Sequence, residues 1–165
     1  MDLNDTICAL STPPGTGAIS LVRMSGVKSM EILHAVFESK THKQAFESHR
    51  MYMGFIKDEN ELIDEVLISF FQKPHSFTGE DMVEISCHGS TYIQKSVLEL
   101  LIRKGCRLAE PGEFSMRSFL NGKMDLSQAE AISDLVASQS KAAHRLALHH
   151  LRGGFSNKIK ELREQ

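Results

Sequence analysis

At 165 residues the chain is long enough for one domain with a real core, or for one domain and the beginning of another. Apolar residues make up 41% and charged residues 24%, an ordinary globular balance, and no apolar run approaches the ~20 residues a membrane span needs. The net charge of −2 conceals an asymmetry, with 13 Lys and Arg against 19 Asp and Glu over residues 1–140, and 6 against 2 over residues 141–165.

The acidic body argues against nucleic acid binding over the whole surface. The basic tail reads first as a solvated helix face, and otherwise as a patch for RNA or an acidic partner. The opening MDLNDTICAL has no basic n-region, so no secretory signal is expected. Cys8, Cys87 and Cys106 are odd in number and form no Cys-x-x-Cys pair. They argue against a disulfide framework or a structural zinc site and fit a reducing cytoplasm.

In chain order, Thr6–Leu10 predicts a strand. Ser11-Thr12-Pro13-Pro14-Gly15-Thr16-Gly17 follows, dense in turn-formers. Ala18–Met24 predicts a second strand, on which Ile19, Leu21 and Arg23 share a face. Met30, Leu33, His34 and Phe37 recur at helical spacing, predicting a helix over Val27–Phe37. Residues 38–50 are polar and read as a loop. Met51–Lys57 and Leu62–Gln72 predict a hairpin around Asp58-Glu59-Asn60-Glu61. Met82-Val83-Glu84-Ile85-Ser86-Cys87 alternates as a strand with a carboxylate at its middle. Ile93, Val97, Leu100 and Leu101 stripe a helix over Thr91–Lys104, with Gly105 at its stop.

Beyond Gly112 the pattern is nearly all helical. Glu113–Leu120 is short and ends at Asn121-Gly122. Ser127-Gln128-Ala129-Glu130 predicts a capping box opening a helix that runs to about Leu151. Ile132, Leu135, Val136, Ala143, Leu146 and Ala147 mark its buried side, and Gly153-Gly154 stops it. Phe155, Ile159 and Leu162 begin a further amphipathic helix. The division expected is an α/β body over 1–118 and the truncated start of a helical domain over 119–165.

The motifs exclude more than they assign. Gly15-Thr16-Gly17-Ala18-Ile19-Ser20 lacks the third glycine of a dinucleotide fingerprint and precedes a strand, so a tight turn is its better reading. No Gly-x-x-x-x-Gly-Lys-Ser/Thr occurs, which excludes a P-loop in these residues. Cys87-His88 lacks further ligands at metal spacing, and adjacent strand residues point apart, so His88 is read as bonding backbone at the turn. Glu113 and Arg117 stand at i,i+4, a pairing worth a few tenths of a kcal/mol on an exposed helix.

Arg23 and Glu84 carry the most information. Each is a charge among apolar neighbours in a strand, where an unpartnered charge costs several kcal/mol. One reading is a structural bridge between two strands. The other is a pocket for a flat, nitrogen-rich heterocycle, whose amino group and ring N–H a carboxylate accepts together while a cation holds its carbonyl or carboxylate. Lys123 is the candidate third charge.

Asn4-Asp5-Thr6-Ile7, Thr12-Pro13-Pro14-Gly15, Arg23-Met24-Ser25-Gly26, Ser76-Phe77-Thr78-Gly79-Glu80-Asp81, His88-Gly89, Pro111-Gly112-Glu113-Phe114, Phe119-Leu120-Asn121-Gly122-Lys123 and Gln128-Ala129-Glu130-Ala131 occur in this order. Together they resemble the opening part of the MnmE (TrmE) family of tRNA modification GTPases. The resemblance implies an α+β (α/β) folate-binding domain with a mixed sheet and flanking helices, similar to aminomethyltransferase folate domains, followed by the first helices of an all-α domain. It implies 5-formyltetrahydrofolate as the ligand of Arg23, Glu84 and Lys123. It also implies a homodimer formed through this domain, a cytoplasmic setting without membrane attachment, and action with the FAD-dependent MnmG on the wobble uridine of tRNA. GTP, potassium and magnesium belong, by the same resemblance, to a GTPase domain that these residues lack. The alternative is a structural or dimerisation module that binds no folate.

Overall fold

The structure, a computed structural model, describes residues 4–40, 46–59 and 61–153. It divides into two compact units: one holds residues up to Ser76 together with Glu80–Pro111, the other Phe77–Gly79 together with the residues from Gly112 onward.

Among the described residues, the first unit contains a sheet of seven strands and two helices. The strands are β1 (Ile7–Leu10), β2 (Ile19–Ser25), β3 (Phe37–Ser39), β4 (Arg50–Asp58), β5 (Glu61–Phe71), β6 (Met82–His88) and β7 (Arg107–Leu108), and the helices are α1 (Ser29–Val36) and α2 (Thr91–Arg103). The strand order is β3-β4-β5-β6-β2-β1-β7. Every pairing is antiparallel except β1 with β7, which makes the sheet mixed.

Alternation along the strands decides the two faces. Val22 and Met24 of β2, Val66, Ile68 and Phe70 of β5, and Val83, Ile85 and Cys87 of β6 are buried. They form one core with Leu33 and Val36 of α1 and Val97, Leu100 and Leu101 of α2. Each fully buried aliphatic side chain contributes roughly 1.5–3 kcal/mol. The intervening residues Leu21, Arg23, Leu67, Ser69, Glu84 and Ser86 stand on the opposite face and remain partly accessible.

The hairpin β4–β5 and the strands β1, β2 and β6 lie where the patterns predict. Two short strands do not. β3 falls in the segment read as loop, and α1 ends one residue earlier than expected because Phe37 already pairs with Ile56. β7 has two residues beside β1. Strands this short owe their existence to a partner edge rather than to any local period.

The second unit holds, among the described residues, α3 (Glu113–Leu120), α4 (Leu126–Ala137) and α5 (Lys141–Leu151). α3 has the predicted bounds. The expected long helix is two. Ser138 Oγ donates to Leu135 O at 2.8 Å at the end of α4, and Ser140 Oγ accepts from Ala143 N at 3.1 Å to start α5. These hydroxyls compete with the helical ladder, which is why Ser138-Gln139-Ser140 interrupts it. The capping box is also shifted from the expected residues. Asp125 Oδ1 accepts from Gln128 N at 2.8 Å, and Gln128 Oε1 accepts from Asp125 N at 2.9 Å. With the helix broken, the predicted apolar stripe does not hold. Ala131 and Ala147 are buried, whereas Val136 is 84% exposed and Leu146 59%. The helix expected from Phe155 lies outside the described residues.

Candidate functional site

Arg23 and Glu84 are directly opposite one another on adjacent strands, in the register Arg23↔Glu84. Arg23 Nε donates to Glu84 Oε1 at 3.0 Å and Nη2 donates to the same oxygen at 2.6 Å. Both side chains are about one-fifth accessible, at 22% and 20%. On its other side Glu84 is level with Ser69 of β5. Among the described residues nothing donates to Glu84 Oε2, so one oxygen of the carboxylate is held and the other is available to a ligand donor. The two predicted residues therefore form an ion pair. In this structure its two members meet each other, as the bridge reading also requires.

The turn ahead of β6 is itself well tied. Ser25 Oγ donates to Glu80 Oε2 at 2.7 Å, Ser76 Oγ donates to Glu80 O at 2.6 Å, and Asp81 Oδ1 accepts from Lys73 N at 2.9 Å. The loop between β1 and β2 is held from α2. Gln94 Nε2 donates to Gly15 O at 2.8 Å and to Ser20 Oγ at 2.7 Å. Gly17 and Gly89 meet backbone to backbone, and a Cβ on Gly89 would stand 2.3 Å from Gly17 O.

Lys123 belongs to the second unit, one turn beyond α3, where its N–H donates to Ser118 O at 2.9 Å. Phe77–Gly79 lies in the same unit. Ser118 Oγ donates to Phe77 O at 2.6 Å, and Asn121 Nδ2 donates to Thr78 O at 2.8 Å. Gly79, at φ +79°, leaves room for the lysine stem. A Cβ there would meet Lys123 Cγ at 3.2 Å.

Two partners differ from the sequence reading. His88 does not bond backbone. Its Nδ1 donates to Asp64 Oδ1 at 2.7 Å, and its own N–H donates to Asp64 Oδ2 at 2.8 Å. Asp64 is buried while the His88 ring is 68% exposed. The clue was present: Asp64 occupies the inward register of β5 with Val66, Ile68 and Phe70, and a carboxylate there calls for a donor. The Glu113–Arg117 pair forms at 3.1 Å as the spacing predicts, but both side chains are fully buried, so it is a different object from an exposed i,i+4 pair.

Cys87 is no nucleophile at neutral pH. Burial, reinforced by the Asp64 charge, pushes its thiol up to about 11. Among the described residues no group of three or more His, Cys, Asp or Glu is placed to hold a metal ion. No helix among them is long and apolar enough to cross a membrane.

The chain belongs to the family described as GTP-binding protein TrmE N-terminus, over residues 6–123. Among curated proteins it is similar to the tRNA modification GTPase MnmE of Flavobacterium johnsoniae, with 52% identity over 163 residues covering 98% of this chain and 35% of that protein. The protein of the same name from Flavobacterium psychrophilum is 53% identical over 167 residues, covering 100% and 36%. That from Bacteroides fragilis is 52% identical over 164 residues, covering 98% and 35%. The chain thus spans about a third of the length of the curated relatives it matches.

Proposed function

We propose that this chain supplies the folate-binding and dimerising part of a tRNA modification GTPase. In this reading it presents 5-formyltetrahydrofolate as a one-carbon donor for the 5-carboxymethylaminomethyl or 5-aminomethyl group on wobble uridine. It works with the FAD-dependent MnmG and tRNA in the cytoplasm. GTP, potassium and magnesium fall to the remaining two thirds of the relatives' length.

The observation that carries the reading is the half-engaged Glu84 carboxylate. Arg23 grips Oε1 from the neighbouring strand and fixes the plane of the group. Oε2 then accepts an N–H from the pterin amino group or ring, and Oε1 can share its remaining lone pair. Arg23 balances the charge of Glu84 when no ligand is bound, so that the half-buried carboxylate is not left bare. Lys123 is assigned to the negative or carbonyl end of the ligand.

Calorimetry tests this directly. Glu84→Gln keeps the shape but turns half of the acceptor pair into a donor. Affinity for 5-formyltetrahydrofolate is expected to fall about 10- to 100-fold, on the order of 1.4–3 kcal/mol. Equal affinity in wild type and variant would reject the role of Glu84. The bridge-only reading has its own support, since the two charges do pair. It requires no folate binding and a large stability loss when either residue is removed alone.

A further inference from the structure

Three sulfurs meet under the β7 edge of the sheet. Cys8 comes from β1, Met24 from β2, and Cys106 from the turn between α2 and β7. Cys8 is directly opposite Met24 in the antiparallel register of β1 and β2. Cys106 Sγ donates to Met24 Sδ at 3.3 Å, and a side-chain hydrogen bond joins the Cys8 and Cys106 thiols. Cys8 and Met24 are wholly buried, and Cys106 is 6% accessible. Only the fold brings these three residues together, so no spacing in the sequence marks them.

A buried thiol commonly packs as a small hydrophobe, and methionine fills gaps. Cys87 is of that kind, with its Sγ donating to Ser20 O at 3.6 Å. The other two thiols are turned on sulfur instead. Two thiols and a thioether are the donors that soft cations select, whereas magnesium and calcium take oxygen. Zinc is excluded by number, since a structural zinc site takes four ligands. Among the described residues no His, Asp or Glu stands with the two cysteines to complete such a set.

We propose that Cys8, Met24 and Cys106 form a site for a soft monovalent cation, Cu(I), held by two thiolates and one thioether in a trigonal set. The site is independent of the folate reading. Each thiol gives up its proton as its bond to copper forms, so two protons leave for each ion taken up and no electron is exchanged. Metal–sulfur bonds of about 2.3 Å in a trigonal plane set the sulfurs about 4 Å apart. Met24 and Cys106 then separate by about 0.7 Å from their 3.3 Å contact, which the unbranched methionine absorbs by torsion. The way in is the edge strand. β7 has two residues and, among the described residues, no strand beyond it. Arg107 N donates to Thr6 O at 2.8 Å, Ala109 N donates to Cys8 O at 2.9 Å, and the Arg107 side chain pairs with Asp5. Local opening of so short an edge uncovers Cys106 while the central strands stay paired.

The test titrates the reduced chain with Cu(I), without oxygen, against the chelator bathocuproine disulfonate. One ion per chain is expected. Cys8→Ser and Cys106→Ser should each weaken binding by more than the roughly 10- to 100-fold that loss of an outer-shell partner costs. Met24→Leu keeps the volume and removes the sulfur, and should weaken binding about 10-fold. Cys87→Ser should bind as the wild type does. X-ray absorption at the copper edge should show three sulfur neighbours in the wild-type complex and two in Met24→Leu. That measurement reads the ligands in the wild-type chain, so a core variant that folds poorly does not decide the outcome. The site is overturned if the wild type takes up no stoichiometric ion, or if nitrogen or oxygen replaces sulfur around it. It is equally overturned if Cys87→Ser abolishes binding, or if Cys8→Ser and Cys106→Ser bind as tightly as the wild type.

Discussion

Among the described residues Arg117 is the largest side chain that is completely buried, and it is a charge. Glu113 one turn earlier holds it at 3.1 Å, with both side chains at or below 1% accessibility. Coulomb attraction in such a place is strong, yet it must offset two desolvations, so the pair specifies geometry more than it stabilises. Arg117→Met alone should cost about 3–5 kcal/mol in urea unfolding, because it removes the cation that faces the buried Glu113 carboxylate. The double replacement Glu113→Gln with Arg117→Met should recover most of that loss, and a double variant no better than the single one would refute the account. Cys87 makes a second residue-level prediction. Its folded-state thiol titrates near 11 against an ordinary 9.0. Between those values the unfolded chain releases a proton that the folded one retains, so stability declines as pH rises through that window. Unfolding measured at several alkaline pH values should show a shallower decline for Cys87→Ala than for wild type. An identical slope in the two would count against it.

The same residues show what could be read before the fold was known. Arg23 and Glu84 were legible because a charge inside an alternating strand is conspicuous, and strand parity says which face it takes. Asp64 sends the same signal, but nothing local says that its donor lies on β6. The i,i+4 spacing of Glu113 and Arg117 gave the contact but not its burial, which depends on packing that no spacing encodes.

Elements were legible in proportion to their length. α2 and the β4–β5 hairpin have long apolar periods, and their bounds came within a residue or two. β3 and β7 have three residues and two, too few for any period. The break between α4 and α5 was hidden because the apolar spacing runs on through it, while the serine hydroxyls that end one helix and begin the next act over three residues. Two substitutions probe these joints. Asp125→Ala removes the acceptor of the Gln128 N–H and should cost about 1 kcal/mol of stability, read as a lower urea midpoint with unchanged slope. Gly89→Ala should be more severe, because its Cβ would meet the Gly17 backbone at 2.3 Å, with no flexible side chain to give way. The β1–β2 loop and the end of β6 must then part, and thermal unfolding should report the loss. A variant as stable as wild type would show that this close approach is dispensable.

For the whole molecule, binding and stability are one measurement. A ligand that occupies the native sheet face and ignores the unfolded chain should raise stability by about 2.7 kcal/mol at a hundred times its dissociation constant. Reduced folate should therefore raise the melting temperature of the wild-type chain by several degrees, and that of Glu84→Gln much less at the same concentration. Identical shifts in the two would place any bound ligand elsewhere.

The helical unit is not contiguous along the chain. It takes in Phe77–Gly79, whose carbonyls receive the hydroxyl of Ser118 and the amide of Asn121. A gene cut once at Pro111 would therefore produce two products that are each incomplete. The shorter would lose a three-residue strap, and the longer would carry that strap without the Ser118 and Asn121 donors. Dissection of this protein calls for a breakpoint further downstream.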